Sequence, residues 1–205
     1  MRRLAFTVLA FGLQVALAQA EPLCAADNFE GTDYTVCRID ATKSKLEVFN
    51  LNSAGEPYGT FQALADGLKA EGRELMFAMN GGMFGEDLKP IGLYVEDGVQ
   101  GHKLNRRDGY GNFHLKPNGV FYVKGDTLAV INSDDYAKSG VKPDFATQSG
   151  PMLVINGEIH PKFSETGASE KIRNGVGQVD DHTAVFVLSE QPVNFYHFAK
   201  YFRDK

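Results

Sequence analysis

One segment of the chain joins an arginine to amide and glycine residues, Arg173-Asn174-Gly175-Val176-Gly177. A guanidinium presents two parallel N–H donors to two oxygens of a phosphate, whereas a lysine provides one point charge. We therefore predict that Arg173 is catalytic through contact with a phosphate, and that Asn174 and Gly175 bind the substrate beside it. The alternative is an arginine in an ordinary surface loop.

A second segment, Asn80-Gly81-Gly82-Met83-Phe84, directly follows a short apolar run. Two successive glycines let the backbone approach a ligand closely and turn its N–H groups toward an anion. Asn80 adds a side chain that can both donate and accept hydrogen bonds. We predict that Asn80, Gly81, Gly82 and Met83 form a ligand-binding loop. A structural turn is the alternative.

A third segment, Gln148-Ser149-Gly150-Pro151-Met152, leads into a predicted strand. Its polar and small residues predict substrate contacts from Gln148, Ser149 and Gly150. Ser149 is not predicted to be a serine-hydrolase nucleophile, because that turn needs a glycine two residues before the serine. Thr147 occupies that position.

A hydrolase also needs a base or a nucleophile, and four carboxylates lie close to Asn80 in the sequence: Glu86, Asp87, Glu96 and Asp97. We select Asp87 as the catalytic carboxylate. Its predicted role is that of the base or nucleophile.

The histidines do not have metal-ligand spacing, so we predict neither a metal site nor a cofactor. The five are His102, His114, His160, His182 and His197.

Hydrophobic periodicity predicts the elements that must position these segments. Helices are predicted from apolar stripes at Phe61, Leu64, Ala65 and Leu68, ending near Gly72, and at Phe195, Phe198, Ala199 and Phe202. Short apolar or alternating runs between turn residues predict strands at 34–39 paired with 45–51, and at 75–79, 91–95, 113–115, 120–123, 128–132, 152–155 and 182–188. The polar stretch 133–149 is predicted to be a loop or a short helix. The expected fold class is α+β, a layered mixed β-sheet core of many short strands and hairpins flanked by two main helices.

The first twenty residues are organised as a secretory signal peptide, with Arg2 and Arg3, an apolar run over 4–17, and Ala18-Gln19-Ala20. Cleavage is predicted after Ala20, which leaves residues 21–205 as one domain in the periplasm or outside the cell. The apolar run is shorter than the roughly 20 residues that cross a bilayer, so no membrane span is predicted. An uncleaved anchor is the alternative.

Two cysteines, Cys24 and Cys37, lie just after the predicted cleavage site. In an oxidising compartment we expect them to form a structural disulfide. Closing a loop of this length stabilises a fold by about 3 kcal/mol in the chain-entropy description.

The chain is acidic, with a formal net charge of −5 that becomes −7 once Arg2 and Arg3 are removed with the leader. An acidic surface argues against nucleic acid or an anionic membrane as a partner. Any anionic substrate would therefore need a locally placed cation.

Five segments resemble, in order, the successive motifs of the phosphodiester glycosidase family, which includes the uncovering enzyme N-acetylglucosamine-1-phosphodiester alpha-N-acetylglucosaminidase. They are Asn80-Gly81-Gly82-Met83-Phe84, Pro90-Ile91-Gly92-Leu93-Tyr94-Val95, Gly111-Asn112-Phe113 with Pro117-Asn118-Gly119-Val120-Phe121, Gln148-Ser149-Gly150-Pro151-Met152-Leu153-Val154, and Arg173-Asn174-Gly175-Val176-Gly177. The similarity runs from about Tyr34 to Asp204.

The resemblance implies an exported hydrolase that acts on a small-molecule or glycan phosphodiester and cleaves a sugar-1-phosphodiester to free sugar and a phosphomonoester. It also implies that Arg173 stabilises the departing phosphate and that Asn80 orients a sugar hydroxyl or a phosphate oxygen. Asp87 would then activate water or support a positively charged sugar in the transition state. Family members continue after the aromatic helix into a further strand with an Asp-Gly-type turn, whereas this sequence stops at Lys205. The domain is therefore expected to be incomplete at its C-terminus, either as a fragment or as a degenerate member. The alternatives are a non-catalytic binder of cell-envelope sugar phosphates and a metal-assisted phosphodiesterase. Inverting and retaining chemistry are both compatible with the sequence.

Overall fold

A computed structural model describes residues 22–205, and the predicted signal peptide lies outside this range. Its helices are α1 (Phe61–Ala70), α2 (Ser133–Ser139) and α3 (Phe195–Asp204). Its strands are β1 (Cys24–Phe29), β2 (Thr32–Asp40), β3 (Tyr94–Glu96), β4 (Val99–His102), β5 (Gly119–Lys124), β6 (Thr127–Asn132), β7 (Phe145–Ser149), β8 (Val154–Ile155), β9 (Glu158–Ile159), β10 (Asn174–Gln178) and β11 (Thr183–Ser189). The α+β class is confirmed, and the paired strands in this range are antiparallel.

One sheet has four strands in the order β1-β2-β11-β10. The first two strands pair so that Cys24 lies directly opposite Cys37, and the two cysteines form the predicted disulfide. The helix α3 covers part of this sheet, where Tyr34, Val187, Phe198 and Tyr201 are buried in one cluster. This sheet is therefore fixed both covalently and by aromatic packing.

The other large sheet has five strands in the order β4-β3-β7-β5-β6. The two sheets meet in a second apolar cluster, which includes Phe121 and Leu128 from the five-stranded sheet and Ile39 and Phe186 from the four-stranded one. The short strands β8 and β9 form a separate hairpin. The main core therefore lies between the two sheets.

Both predicted helices are present and have recognisable ends. The Thr60 hydroxyl accepts from the N–H of Ala63 at the start of α1. The Asn194 side chain does the same for His197 at the start of α3. Such side-chain caps satisfy N–H groups that have no partner within a helix. A positive φ of 73° at Gly72 ends α1 where the sequence predicted, because glycine adopts this conformation at little cost.

Several strand predictions are wrong. Residues 45–51 do not pair with β2, because β1 and β11 already occupy both of its edges. Residues 75–79 are not a strand either, and both segments line a cavity between the sheets instead. Residues 113–115 fall largely in a short 3-10 turn, Asn112–His114. The stretch 133–149 begins with the predicted short helix but ends in β7, which is the central strand of its sheet.

No helix among residues 22–205 combines the length and the apolar character needed to cross a membrane.

Candidate functional site

Most of the predicted site residues line one large cavity of about 1450 Å³ between the two sheets. The motif segments that were far apart in sequence meet there. The members that contribute to its wall are Asn80, Gly81, Gly82, Met83, Ser149, Gly150, Arg173, Asn174 and Gly175. Gln148 and Asp87 do not belong to this lining.

Arg173 is held firmly at the cavity wall. Its Nε donates to the carbonyl of Val193 at 2.8 Å, and its Nη2 donates to the carbonyl of Ser169 at 2.7 Å. The guanidinium also lies over the ring of Phe195, 3.7 Å from its centre. Burial lowers the pKa of Arg173 from its usual value, but an arginine remains charged at neutral pH.

The partners of Arg173 are carbonyl oxygens and an aromatic ring, so the charge keeps its capacity to attract an anion. A carboxylate partner would have competed with a phosphate for the same donors. The contacts instead fix the plane of the guanidinium without neutralising it. This is the arrangement that a preorganised anion site requires.

The segment that contains Asn80 and the segment that contains Arg173 touch through two asparagines. Nδ2 of Asn174 donates to the backbone carbonyl of Asn80 at 3.3 Å. Asn174 is the first residue of β10, and Asn80 directly precedes the two glycines. The segment that carries Arg173 is therefore adjacent to the glycine pair that was predicted to bind an anion.

Gly82 allows the loop after Asn80 to lie against β7. A Cβ at this position would overlap Oγ1 of Thr147 and would lie 2.6 Å from the carbonyl oxygen of Gln148. Only glycine fits so close to a backbone. The N–H of Met83 then donates to the carbonyl of Gln148 at 3.3 Å, which anchors the loop to the strand.

Ser149 and Gly150 lie at the end of β7, on the same cavity wall. A Cβ on Gly150 would lie 2.8 Å from the carbonyl oxygen of Phe113 and 2.9 Å from Cβ of Asn118. Gly175 has a comparable packing constraint, because its Cβ would lie 3.0 Å from the ring of Phe202. Both glycines are thus explained by close packing, whether or not they also contact a ligand.

The side chain of Gln148 corrects the sequence-based prediction of a substrate contact. It is 1% exposed, and its Oε1 accepts from the N–H groups of Leu93 and Asn105, each at 2.9 Å. Its Nε2 donates to the carbonyl of Asn105 at 2.7 Å and to the hydroxyl of Ser133 at 2.9 Å. These four bonds use both lone pairs and both N–H donors. Gln148 therefore holds neighbouring segments together and has no group free for a ligand.

Asp87 is the second correction. It lies on an exposed turn, where the backbone N–H of Lys89 donates to Oδ1 at 3.2 Å and the Lys89 ammonium lies 3.4 Å from Oδ2. The hydrogen bond from the Lys89 backbone, followed by the lysine side chain, lowers the pKa of Asp87 below its usual value. A solvated turn carboxylate outside the cavity does not reach a sugar bound there.

The structure also shows a hydrogen-bonded pair, Tyr94 and Glu96, that was not predicted from the sequence. The hydroxyl of Tyr94 donates to the carboxylate of Glu96, and Tyr94 is one of the residues that line the cavity. Burial is the main cause of a raised pKa at both Glu96 and Tyr94. Glu96 had been considered only with its sequence neighbours. The available signal was the two-residue spacing, which places both side chains on one face of a strand.

No group of three or more potential ligand side chains within residues 22–205 is arranged to hold a metal ion.

Comparisons with known proteins agree with the arrangement of these segments. Residues 73–204 match the family model for phosphodiester glycosidases. The chain is also similar to the uncharacterized protein YigE of Escherichia coli (strain K12), with 42% identity over 167 residues. That match covers 82% of this chain and 65% of the relative, so the chain spans about two thirds of the relative's length.

Proposed function

Because the chain belongs to the phosphodiester glycosidase family, we propose that it hydrolyses the glycosidic bond of a sugar-1-phosphodiester. The products are the free sugar and a phosphomonoester. The observation that carries the proposal is the position of Arg173, whose fixed and charge-bearing guanidinium lines the same cavity as the glycine pair. We place the reaction outside the cytoplasm, where the disulfide between Cys24 and Cys37 would persist.

The chemistry of the leaving group explains why a cation matters most. When the bond between the anomeric carbon and the phosphate oxygen breaks, the phosphomonoester departs with an additional negative charge. A fixed donor in a partly buried site stabilises that charge more than water does, because its dipoles and charge need no reorganisation. Arg173 would bind the departing phosphate, and the N–H groups near Gly81 and Gly82 would surround its other oxygens.

Asn80 and Asn174 complete the proposed binding surface. Their mutual contact uses the Asn80 backbone carbonyl and one N–H of the Asn174 side chain. The Asn80 side chain and the Asn174 side-chain oxygen are therefore left to orient sugar hydroxyls or phosphate oxygens. Ser149, at the end of β7, adds a hydroxyl to the cavity wall.

The test is a hydrolysis assay with the full chain and the methyl phosphodiester of N-acetylglucosamine 1-phosphate, run in oxygen-18 water. We expect free sugar carrying the heavy oxygen at its anomeric carbon. Label on the phosphate would instead show cleavage of a phosphorus–oxygen bond, and activity lost in a chelator would indicate a metal-assisted phosphodiesterase. Saturable binding with no product would indicate a non-catalytic binder.

The Arg173→Lys substitution tests whether the fixed guanidinium of Arg173 contributes to the reaction. Lysine keeps a positive charge but loses the two carbonyl contacts and the planar stacking on Phe195. Loss of a charge-assisted contact of about 1.5–3 kcal/mol predicts a drop in kcat/KM of roughly 10- to 150-fold. The matched control is Arg107→Lys, an exposed position outside the cavity lining, for which we expect unchanged kinetics. Equal rates for both variants would contradict the role of Arg173.

A further inference from the structure

The proposed reaction needs a nucleophile or a base, and Asp87 does not reach the cavity. The strand β3 carries a different candidate. Tyr94 and Glu96 are two residues apart on this strand, so their side chains lie on the same face of the sheet. The Tyr94 hydroxyl donates its hydrogen bond directly to the Glu96 carboxylate, and Tyr94 forms part of the cavity wall.

The sheet register connects this pair to the loop that carries the two glycines. Tyr94 on β3 lies directly opposite Thr147 on β7. Residues directly opposite each other on neighbouring strands project from the same face, with Cβ atoms about 5 Å apart. The Thr147 side chain is the group against which Gly81 and Gly82 pack. One side chain, that of Thr147, therefore separates Tyr94 from the proposed phosphate-binding loop.

The surroundings of Glu96 favour its action as a base. Burial is the largest influence and raises its pKa, and the negative charges of Asp97 and Glu47 act in the same direction. The hydrogen bonds from the Tyr94 hydroxyl and from the Asn50 backbone oppose this shift without cancelling it. Glu47 is itself paired with Arg73, so its influence is partly offset. A carboxylate with a raised pKa accepts a proton more readily once it is ionised. Burial also raises the pKa of Tyr94, which means that this phenol reacts only if a neighbouring base takes its proton.

We propose that Tyr94 is the nucleophile of the site and that Glu96 is the base that accepts its proton. This proposal rests on the proposed function. The tyrosine oxygen forms a bond to the anomeric carbon as the bond from that carbon to the phosphate oxygen breaks. The phenol proton moves to Glu96, and the phosphomonoester leaves with the bonding electron pair. Tyrosine replaces a carboxylate as the nucleophile in some glycosidases.

Water completes the cycle. A water oxygen attacks the anomeric carbon, the bond to the tyrosine oxygen breaks, and Glu96 returns the proton to that oxygen. The proton lost by the attacking water passes to solvent. Two displacements at one carbon leave the sugar with its original anomeric configuration, which is the stereochemical signature of the proposal.

The first experiment traps the intermediate on the wild-type full chain. A 2-fluoro sugar with a good leaving group slows the second displacement and leaves the sugar attached to the enzyme. We expect one added sugar on the peptide that contains Tyr94, together with retention of configuration for the ordinary substrate. Inversion of configuration, or a sugar attached to another residue, would overturn the assignment of Tyr94 as the nucleophile. The proposed function would still stand in that case, because the sugar-1-phosphodiester is hydrolysed.

The second experiment compares Tyr94→Phe with the matched control Tyr122→Phe. Tyr122 lies on β5 and packs with the cluster around Leu93 and Val120, outside the cavity lining. Loss of the Tyr94 hydroxyl should lower kcat about a thousandfold and abolish trapping, whereas the control should keep both. If Tyr94→Phe retains wild-type kcat, Tyr94 is not the nucleophile. If wild-type chain hydrolyses no sugar-1-phosphodiester, the proposed function fails first.

The pH profile distinguishes a base from a residue that only supports the fold. Because the pKa of Glu96 is raised, kcat/KM should increase with pH through a value above the ordinary glutamate range of about 4.3. Glu96→Gln cannot ionise and should remove this acid limb along with most of the rate. A Glu96→Gln enzyme that keeps the same limb would show that another group is the base.

Discussion

The two large sheets are organised around different kinds of buried centre. In the four-stranded sheet, the ring of Tyr34 lies 4.3 Å from that of Tyr201 and 6.4 Å from that of Phe198, next to the disulfide-linked strands. In the five-stranded sheet, the centre is Gln148, which bonds to two loops and to the first residue of α2. One centre is apolar and aromatic, and the other is a saturated polar network.

The comparison shows how stability and positioning are divided. Aromatic packing is not strongly directional, so the four-stranded sheet gains stability from burial. The Gln148 network fixes specific backbone groups, because each bond has one donor and one acceptor in a set geometry. The cavity wall draws on both centres, since Asn174 begins a strand of the first sheet and the glycine pair packs against the second.

The largest expected effect comes from breaking the polar centre with Gln148→Leu. Leucine leaves the N–H groups of Leu93 and Asn105 and the carbonyl of Asn105 without their buried partners. At about 1–3 kcal/mol for each unsatisfied group, we expect a loss of about 4 kcal/mol, measured by urea unfolding. The control Gln62→Leu removes one exposed contact on α1 and should change stability by less than about 0.5 kcal/mol. Similar losses for the two variants would refute the central role of Gln148.

The next effect concerns the apolar side of the comparison. Replacing both Cys24 and Cys37 by serine opens a loop closed over a sequence separation of 13 and should cost about 3 kcal/mol of unfolding free energy. Neither cysteine lines the cavity, so kcat/KM should be unchanged at temperatures where the variant stays folded. A marked rise in KM would mean that the division between stability and positioning is not as clean as we infer.

The smallest expected effect is electrostatic. Asp27 on β1 accepts from the hydroxyl of Tyr201 at 2.8 Å and lies 2.9 Å from the Lys205 ammonium. Lys205 first, and then Tyr201, lower the pKa of Asp27. A lowered pKa in the folded state stabilises the fold at pH values above the unfolded pKa, about 3.9, and this contribution is lost as the pH falls through the folded value.

Asp27→Asn should therefore lower stability at pH 7 by less than about 1 kcal/mol, since the pair is partly exposed. Melting temperatures of the wild type and the variant should converge as the pH falls below the pKa of an ordinary aspartate. A difference that persists at low pH would assign the effect to packing instead of charge.

The sequence predicted best where two independent physical signals agree. Both α1 and α3 combine a helical apolar stripe with a capping side chain, and both were found. The central strand β7 was missed because its buried face includes Gln148, so the polar residue hides the alternation. The strand β1 was missed because its middle residues, from Ala25 to Asn28, are alanines, an aspartate and an asparagine, which are uncommon in strands, and its pairing depends on the disulfide and on β2.

The same limit applies to the candidate site. The sequence identified segments that share one cavity, because small and polar residues after strands tend to lie at strand ends. It could not tell which way a polar side chain points, so Gln148 was taken for a ligand when it faces the interior. Asp87 was chosen by proximity in sequence, whereas Tyr94, the partner of Glu96, lines the cavity and lies opposite Thr147 of β7.

The glycines of β10 have a consequence for comparing related sequences. A Cβ on Gly177 would lie 2.9 Å from the ring of Phe202, and a Cβ on Gly175 would lie 3.0 Å from the same ring. A relative with alanine at either glycine should therefore carry a smaller side chain where Phe202 stands, so that these positions covary. Substitutions of Phe202 in α3 would then shift the strand that begins with Asn174. The size of the side chain at position 202 would in this way help to determine the shape of the cavity.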